Sequence, residues 1–199
     1  MRPAVLAFFL SLSSLLSVPA GVARAAEPSS VPGSAADATS PRAQLVGNLS
    51  WIDSKPDPAV FRANDALWYP ILDRLIDDET VAPHLRRRAI VALQWSPRPE
   101  ASTRLGGIAA DRARDEKLRG RALRCLAARD GVSALDLLIA ALDDPSRRVR
   151  KDTLLALAEL GVPGRPPLRA HLEREADAGL RDLVRRLLGP DVAPTAGSR

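Results

Sequence analysis

The side chains best suited to metal binding or nucleophilic catalysis are His84, His171 and Cys125, the two histidines and the one cysteine of a 199-residue sequence. A protein metal site needs several convergent ligands, usually announced by close spacings such as H-E-x-x-H or C-x-x-C. Neither spacing is present, and the two histidines stand far apart in the chain. Cys125 lies between Leu123 and Leu126 on an apolar helical face with no base nearby in sequence to activate it, so it reads as a small core residue. A lone cysteine also forbids an intrachain disulfide. No G-x-S-x-G elbow and no G-x-x-x-x-G-K-[ST] phosphate loop occurs, and Gly106-Gly107 is an isolated pair inside a helical pattern. The sequence predicts no catalytic residue, no cofactor and no metal.

Arginine carries the remaining chemistry. Its planar fork binds carboxylates two atoms at a time. Arg86, Arg119, Arg150 and Arg181 each follow an apolar residue (Leu85, Leu118, Val149, Leu180), and these leaders are separated by 33, 31 and 31 positions. That recurrence predicts a structural ladder in which each Arg reaches a corner Asp of its own or a neighbouring unit. A second set, Arg87, Arg88, Arg121, Arg124, Lys151 and Arg186, falls at helical phases pointing away from the apolar stripe. With Trp95 as a flat apolar anchor and Trp68 near it, this set forms a candidate surface for an acidic partner. Charge is uneven in the same sense: residues 80–130 carry 12 basic and 5 acidic side chains, residues 26–79 carry 4 and 9, and residues 131–199 carry 11 and 10. Arg-rich helix faces are also often merely solvated, so charge alone does not make a site.

The elements that would hold these residues are short helix pairs. From Ser133 to Leu160, Leu135, Leu138, Ile139 and Leu142 follow the spacing of one helix face, and Val149, Thr153, Leu154, Leu157 and Leu160 that of a second. Between them Asp143-Asp144-Pro145-Ser146 makes a corner, with Pro145 suited to the first turn of the second helix and Asp144 to its cap. The second-helix pattern, L/V-R-x-x-A/T/V, recurs four times. Less regular first helices are expected at Pro70 to Asp77, Glu100 to Ala110, Val132 to Leu142 and Pro166 to Glu175. Upstream, Ala43 to Ile52 and a helix from Pro58 through Trp68 fit the repeat poorly, as expected of a capping unit. High Leu and Ala content with 4% aromatics favours helix throughout.

The ends differ from this array. Arg2, the apolar run from Ala4 to Val18, the breakers Pro19 and Gly21, and Ala23-Arg24-Ala25 have the form of a cleaved export signal. Cleavage after Ala25 leaves no stable membrane span and reduces the charge to 27 basic against 24 acidic residues. The expected organisation is a signal peptide at 1–25, a flexible linker at 26–40, degenerate capping helices at 41–68, repeats at 69–97, 98–130, 131–161 and 162–189, and a disordered tail at 190–199.

The Leu/Val-Arg-x-x-Ala second helix after an Asp-rich corner resembles the HEAT repeat family, over roughly Asp65 to Leu188. The short period is similar to bacterial HEAT-like repeats, including those of phycobilisome lyases. The resemblance implies an all-α solenoid of antiparallel helix pairs, a superhelix whose second helices line the concave side, and a scaffold without activity of its own. The expectation is a non-catalytic, exported, periplasmic or secreted protein that binds a protein or peptide, acidic in character, through a partly basic groove. The resemblance also leaves open an enzyme-accessory subunit of the lyase-like kind, or an anion- or nucleic-acid-binding module. Nucleic acid is disfavoured by the export signal and by the absence of interleaved aromatics.

Overall fold

Acidic and hydroxyl caps set the start of several helices, and a proline in the first turn opens others. The Asp57 carboxylate accepts from Ala59 N–H at 2.8 Å, Asp115 from Lys117 N–H at 2.8 Å, and Asp177 from Leu180 N–H at 2.9 Å. Each satisfies donors that a helix leaves open in its first turn. The computed structural model describes residues 40–50 and 57–189, all within one compact unit. The expected signal peptide, most of the linker and the tail lie outside the described residues. The helices are α1 Pro41–Ser50, α2 Pro58–Ala63, α3 Asp65–Asp77, α4 Pro83–Leu93, α5 Pro99–Ala110, α6 Glu116–Asp130, α7 Leu135–Ala141, α8 Arg147–Glu159, α9 Arg165–Leu172 and α10 Ala178–Leu188. Single 3-10 turns, Gly131–Ala134 and Val162–Gly164, lead into α7 and α9. Gly131 (φ 57°) and Gly161 (φ 68°) make the reversals that start those turns in a conformation other residues resist.

Helices pair in sequence as α3–α4, α5–α6, α7–α8 and α9–α10, and the second helices stack on one another as α4 on α6, α6 on α8 and α8 on α10. This is an all-α stack of the α-solenoid kind. The second helices supply the spine of the core: Ile90, Leu93, Leu123, Leu154 and Leu157 are fully buried. The equivalent positions Ala89, Ala122, Thr153 and Val184 are also fully buried. Three of them are small, which lets the two helices of each pair approach closely. Two glycines mark the tightest contacts. A Cβ on Gly120 of α6 would overlap the Asp152 side chain of α8. A Cβ on Gly164 would fall 1.8 Å from the Leu157 carbonyl oxygen. At the other end, α1 buries Leu45 and Leu49 against α3 and α4. No helix among the described residues is long and apolar enough to cross a membrane.

Several expected boundaries move. The helix from Pro58 ends at Ala63, not Trp68, and Asn64 separates it from α3. Trp68 belongs to α3 because Phe61 holds its ring edge-on at 5.0 Å, and burying that pair favours helix from Asp65 onward. Pro70, read as a helix start, therefore sits inside α3 on its exposed side. Pro145 precedes the cap of α8 and does not open the helix. Ser146 is the cap, its hydroxyl accepting from Val149 N–H at 3.4 Å. Asp144 instead accepts from Ser146 N–H at 2.8 Å and turns its carboxylate to another task.

The α8–α9 junction gives a direct test. Gly164→Ala forces a methyl into the Leu157 carbonyl of α8, so it should lower stability by about 1–3 kcal/mol or more by overpacking. Gly107→Ala, where the added methyl meets open space, should not destabilise and serves as the control. Equal chemical-denaturation midpoints for the two variants would contradict this packing.

Candidate functional site

The recurring arginines divide into two populations once their partners are known. Arg119 on α6 is buried and grips Asp144 with both ends of its fork, at 2.5 and 3.2 Å. Asp144 belongs to the α7–α8 corner of the following pair. Arg150 on α8 repeats the move one pair on, reaching Glu175 in the α9–α10 corner at 2.9 and 3.1 Å. Arg150 also donates to the Asp144 and Pro145 carbonyls of its own corner at 3.0 and 3.2 Å. Arg181 donates to the Glu175 and Ala176 carbonyls at 2.8 and 2.9 Å, and Arg86 to the Ile76 carbonyl at 2.9 Å. Carboxylates answer only the two central arginines, and one of them is Glu175 in place of an Asp. Arg86 and Arg181 close their own corners through backbone oxygen.

Glu175 is the most heavily engaged carboxylate. Besides Arg150 it accepts from Asp177 N–H at 2.8 Å, and His171 Nε2 lies 2.8 Å away. A carboxylate can only accept, so His171 carries its proton on Nε2. Burial acts to raise the Glu175 pKa, but the hydrogen bonds from Arg150, Asp177 and His171 together with the Arg150 charge outweigh it and hold the carboxyl at about 2. His171 is thus a buried structural donor, while His84 sits exposed in the first turn of α4. Cys125 is buried in α6, and burial pushes its thiol up to about 12 against the opposing pull of Arg121 and Arg124. Buried and held protonated, it is a poor nucleophile at neutral pH. Among the described residues no three His, Cys, Asp or Glu side chains converge as a metal site would require.

The outward set is thinned by the same accounting. Arg88 donates to the Leu49 carbonyl and ties α4 to the end of α1. Arg124 is paired with Glu159 across the α6–α8 contact. Trp95 packs on Phe61 at 5.2 Å and joins the N-terminal core, and the buried Trp68 meets the same ring edge-on. These three hold the stack together and are not free for a ligand. Arg87, Arg121, Lys151 and Arg186 have no hydrogen-bond or ion-pair partner among the described residues, and all but the half-buried Arg87 are exposed. Lys117 and Arg148, overlooked in the sequence, lie one turn before Arg121 and three residues before Lys151 on the same outward faces. Lys117 is exposed and unpartnered, and Arg148 approaches Asp152 only at 3.9 Å. The signal that could have found them is the position just before the leading Leu or Val of each second helix, which is solvent-facing in α4, α6 and α8.

On the first-helix side the arginines around α5 are engaged, while Arg74, Arg112 and Arg169 are exposed without a side-chain partner. Arg104 binds Asp73 and Asp77, Arg114 binds Asp77, and Arg98 binds Asp65 at 2.6 Å while lying over the Tyr69 ring. Arg129 threads into the loop between α4 and α5 and donates to the Ser96 and Arg98 carbonyls. Among the described residues, the arrangement offers a cationic second-helix face.

Residues 108–189 match the family model of HEAT repeats, so this part of the chain, from the end of α5 through α10, is a HEAT-repeat array. No curated protein matches the chain.

Two measurements probe the clamps. Asp144→Ala leaves the Arg119 guanidinium buried without its partner and should cost about 3–5 kcal/mol in denaturant unfolding. The depressed Glu175 pKa contributes stability that is fully present above the ordinary carboxyl range and is lost as pH falls towards about 2. Glu175→Gln should therefore flatten the pH dependence of the melting temperature between about pH 4.5 and 2.

Proposed function

We propose that this HEAT-repeat chain is a non-catalytic, exported scaffold whose stacked second helices bind another protein or a peptide segment. HEAT repeats generally mediate protein–protein interaction. The observation that carries the reading is that Arg87, Arg121, Lys151 and Arg186, all on second helices, have no side-chain partner among the described residues, whereas unpaired arginines elsewhere (Arg62, Arg74, Arg112, Arg169) are scattered over α2, two first helices and a corner. A side chain that serves no internal contact is available to a ligand. In this reading the second helices line the concave side of the array, which gathers these cations into one groove.

Export is part of the proposal and rests on the Ala4–Val18 apolar run and the Ala23-Arg24-Ala25 cleavage pattern. The partner then belongs to the cell envelope or its exterior. Cytoplasmic nucleic acid and lyase-like enzyme assembly become secondary.

The test is affinity capture from envelope extract at low and high salt, using the protein secreted from its own precursor. Ala128→Trp with Lys151→Trp places bulk on the second-helix face, where both residues are exposed; Ala140→Trp does so on the first-helix side. The expected result is loss of the captured partner with the first variant alone. A partner set unaltered by the double substitution would rule out this face, and an N-terminus at Met1 on the exported protein would rule out cleavage.

A further inference from the structure

We infer that the first-helix side of the array is an interface between two copies of this chain, in which α7 of each copy lies over α9 of the other. Its centre is a groove of about 440 Å³ between Leu135, Ile139 and Leu142, on or just after α7, and Pro166, Pro167 and Ala170 of α9. Arg174 lines the end of the groove at the α9–α10 corner. Three of the five exposed large hydrophobics among the described residues, Val132, Ile139 and Val162, belong to α7 and to the turns that lead into α7 and α9. Val162, at 79% the most exposed of the five, adjoins Pro163, which also lines the groove. Single apolar side chains on a surface need no partner, but a strip of them beside an apolar groove has the composition of a contact.

The charges on the two sides of the groove name the occupant. α7 and the corner after it expose Asp136 and Asp143 and no cation, whereas α9 and the start of its corner expose Arg169 and Arg174 with a single acid, Glu173. Asp136 and Arg169 have no side-chain partner among the described residues. Asp143 and Arg174 approach each other only at 3.5 Å, and both are exposed. The half-buried Arg165 and Asp177 are already engaged, with the Leu188 carbonyl and Arg147.

A two-fold interface must complement itself, because each patch meets a copy of the same patch. An axis running along the groove meets that condition: it carries α7 of each copy over α9 of the other, and acid faces base on both sides. An axis across the groove would lay α7 on α7 and set acid on acid. Asp143 and Arg174 hold the same place in successive corners, six residues before Val149 and Leu180. The axis along the groove keeps them level and sets Asp143 of each copy against Arg174 of the other. The second-helix face is untouched in this dimer, so the pairing holds whether or not that face binds a partner.

The experiment is sedimentation equilibrium on the exported chain. An interface built on one groove and its rims is small beside the roughly 1,600 Å² of a stable complex, so the expected dissociation constant is on the order of 10–100 µM. Val162→Glu and Ile139→Glu should each leave a monomer at all concentrations up to about 1 mM, since either puts a charge into the apolar strip. Val162 faces solvent, so its variant should keep the wild-type melting temperature. Asp136→Arg sets like charges opposite each other twice per dimer and should weaken association about tenfold, as should Arg169→Asp. Combined in one chain, the two substitutions exchange the rims and should restore the wild-type constant to within about threefold. Arg62→Glu, on α2, should change nothing. A wild-type monomer at every concentration, a dimer indifferent to both glutamate variants, or a double exchange as weak as its parts would each overturn the inference. So would a monomer that loses a captured envelope partner on Val162→Glu, because the strip would then belong to a different protein.

Discussion

The buried contact between Arg119 and Asp144, with its successor between Arg150 and Glu175, is the constraint on which the stack depends. A guanidinium out of water is tolerable only where its donors meet acceptors of opposite charge in good geometry. Here the acceptors belong to the corner of the next helix pair, so neither group is satisfied until two neighbouring pairs have docked. The apolar spine supplies most of the driving force for stacking, but Leu against Leu is forgiving in register. The two-pronged ion pair is not, and it fixes how far one pair is rotated and slid against the next. Arg150 adds a second restraint by holding the backbone of its own corner while its fork reaches forward.

That arrangement also accounts for the surface. With Arg98, Arg104, Arg114 and Arg129 drawn into corners, loops and first-helix acids, the cations of the central segment left without partners are Arg87, Lys117 and Arg121 on second helices and Arg112 in a corner. The fold thereby separates structural cations from available ones, although both are arginines a few residues apart. Gly120 has a part in this: its missing side chain seats Asp152 between α6 and α8, which removes one acid from the outward face and sets the helices close together.

Much of this was legible in the sequence. The apolar period and the recurring arginines located all four second helices, because a stripe that must bury against two neighbours leaves a strong pattern. Side-chain partners were less legible. Arg88 and Arg124 belong to the same outward set as Arg87 and Arg121, yet they are consumed by Leu49 and Glu159, contacts made between distant segments whose rotation a linear pattern does not fix. Trp95 looked free for the same reason, since Phe61 is far away in sequence and close only after α2 folds over α4. The corner caps were misread because Asp, Pro and Ser are each good candidates in isolation. Asp144 was drawn from capping by the stronger demand of a buried arginine, which left the cap to Ser146. Pro70 was read by local rule as a helix start, and the burial of Trp68 beside Phe61 overrode it.

The clamps all run in one direction, from a second helix to the corner that follows it. Residues 131–161 therefore contain both halves of the fitting: Asp144 to receive the arginine before them and Arg150 to reach the acid after them. A tandem copy of that block, placed at its own boundary between Gly131 and Gly161, would present a matching acid and a matching arginine at each new seam. The glycines at its ends supply the same backbone reversal on both sides. The unit is therefore self-compatible as a module, and lengthening by internal duplication is the route of growth that leaves no buried charge unmatched.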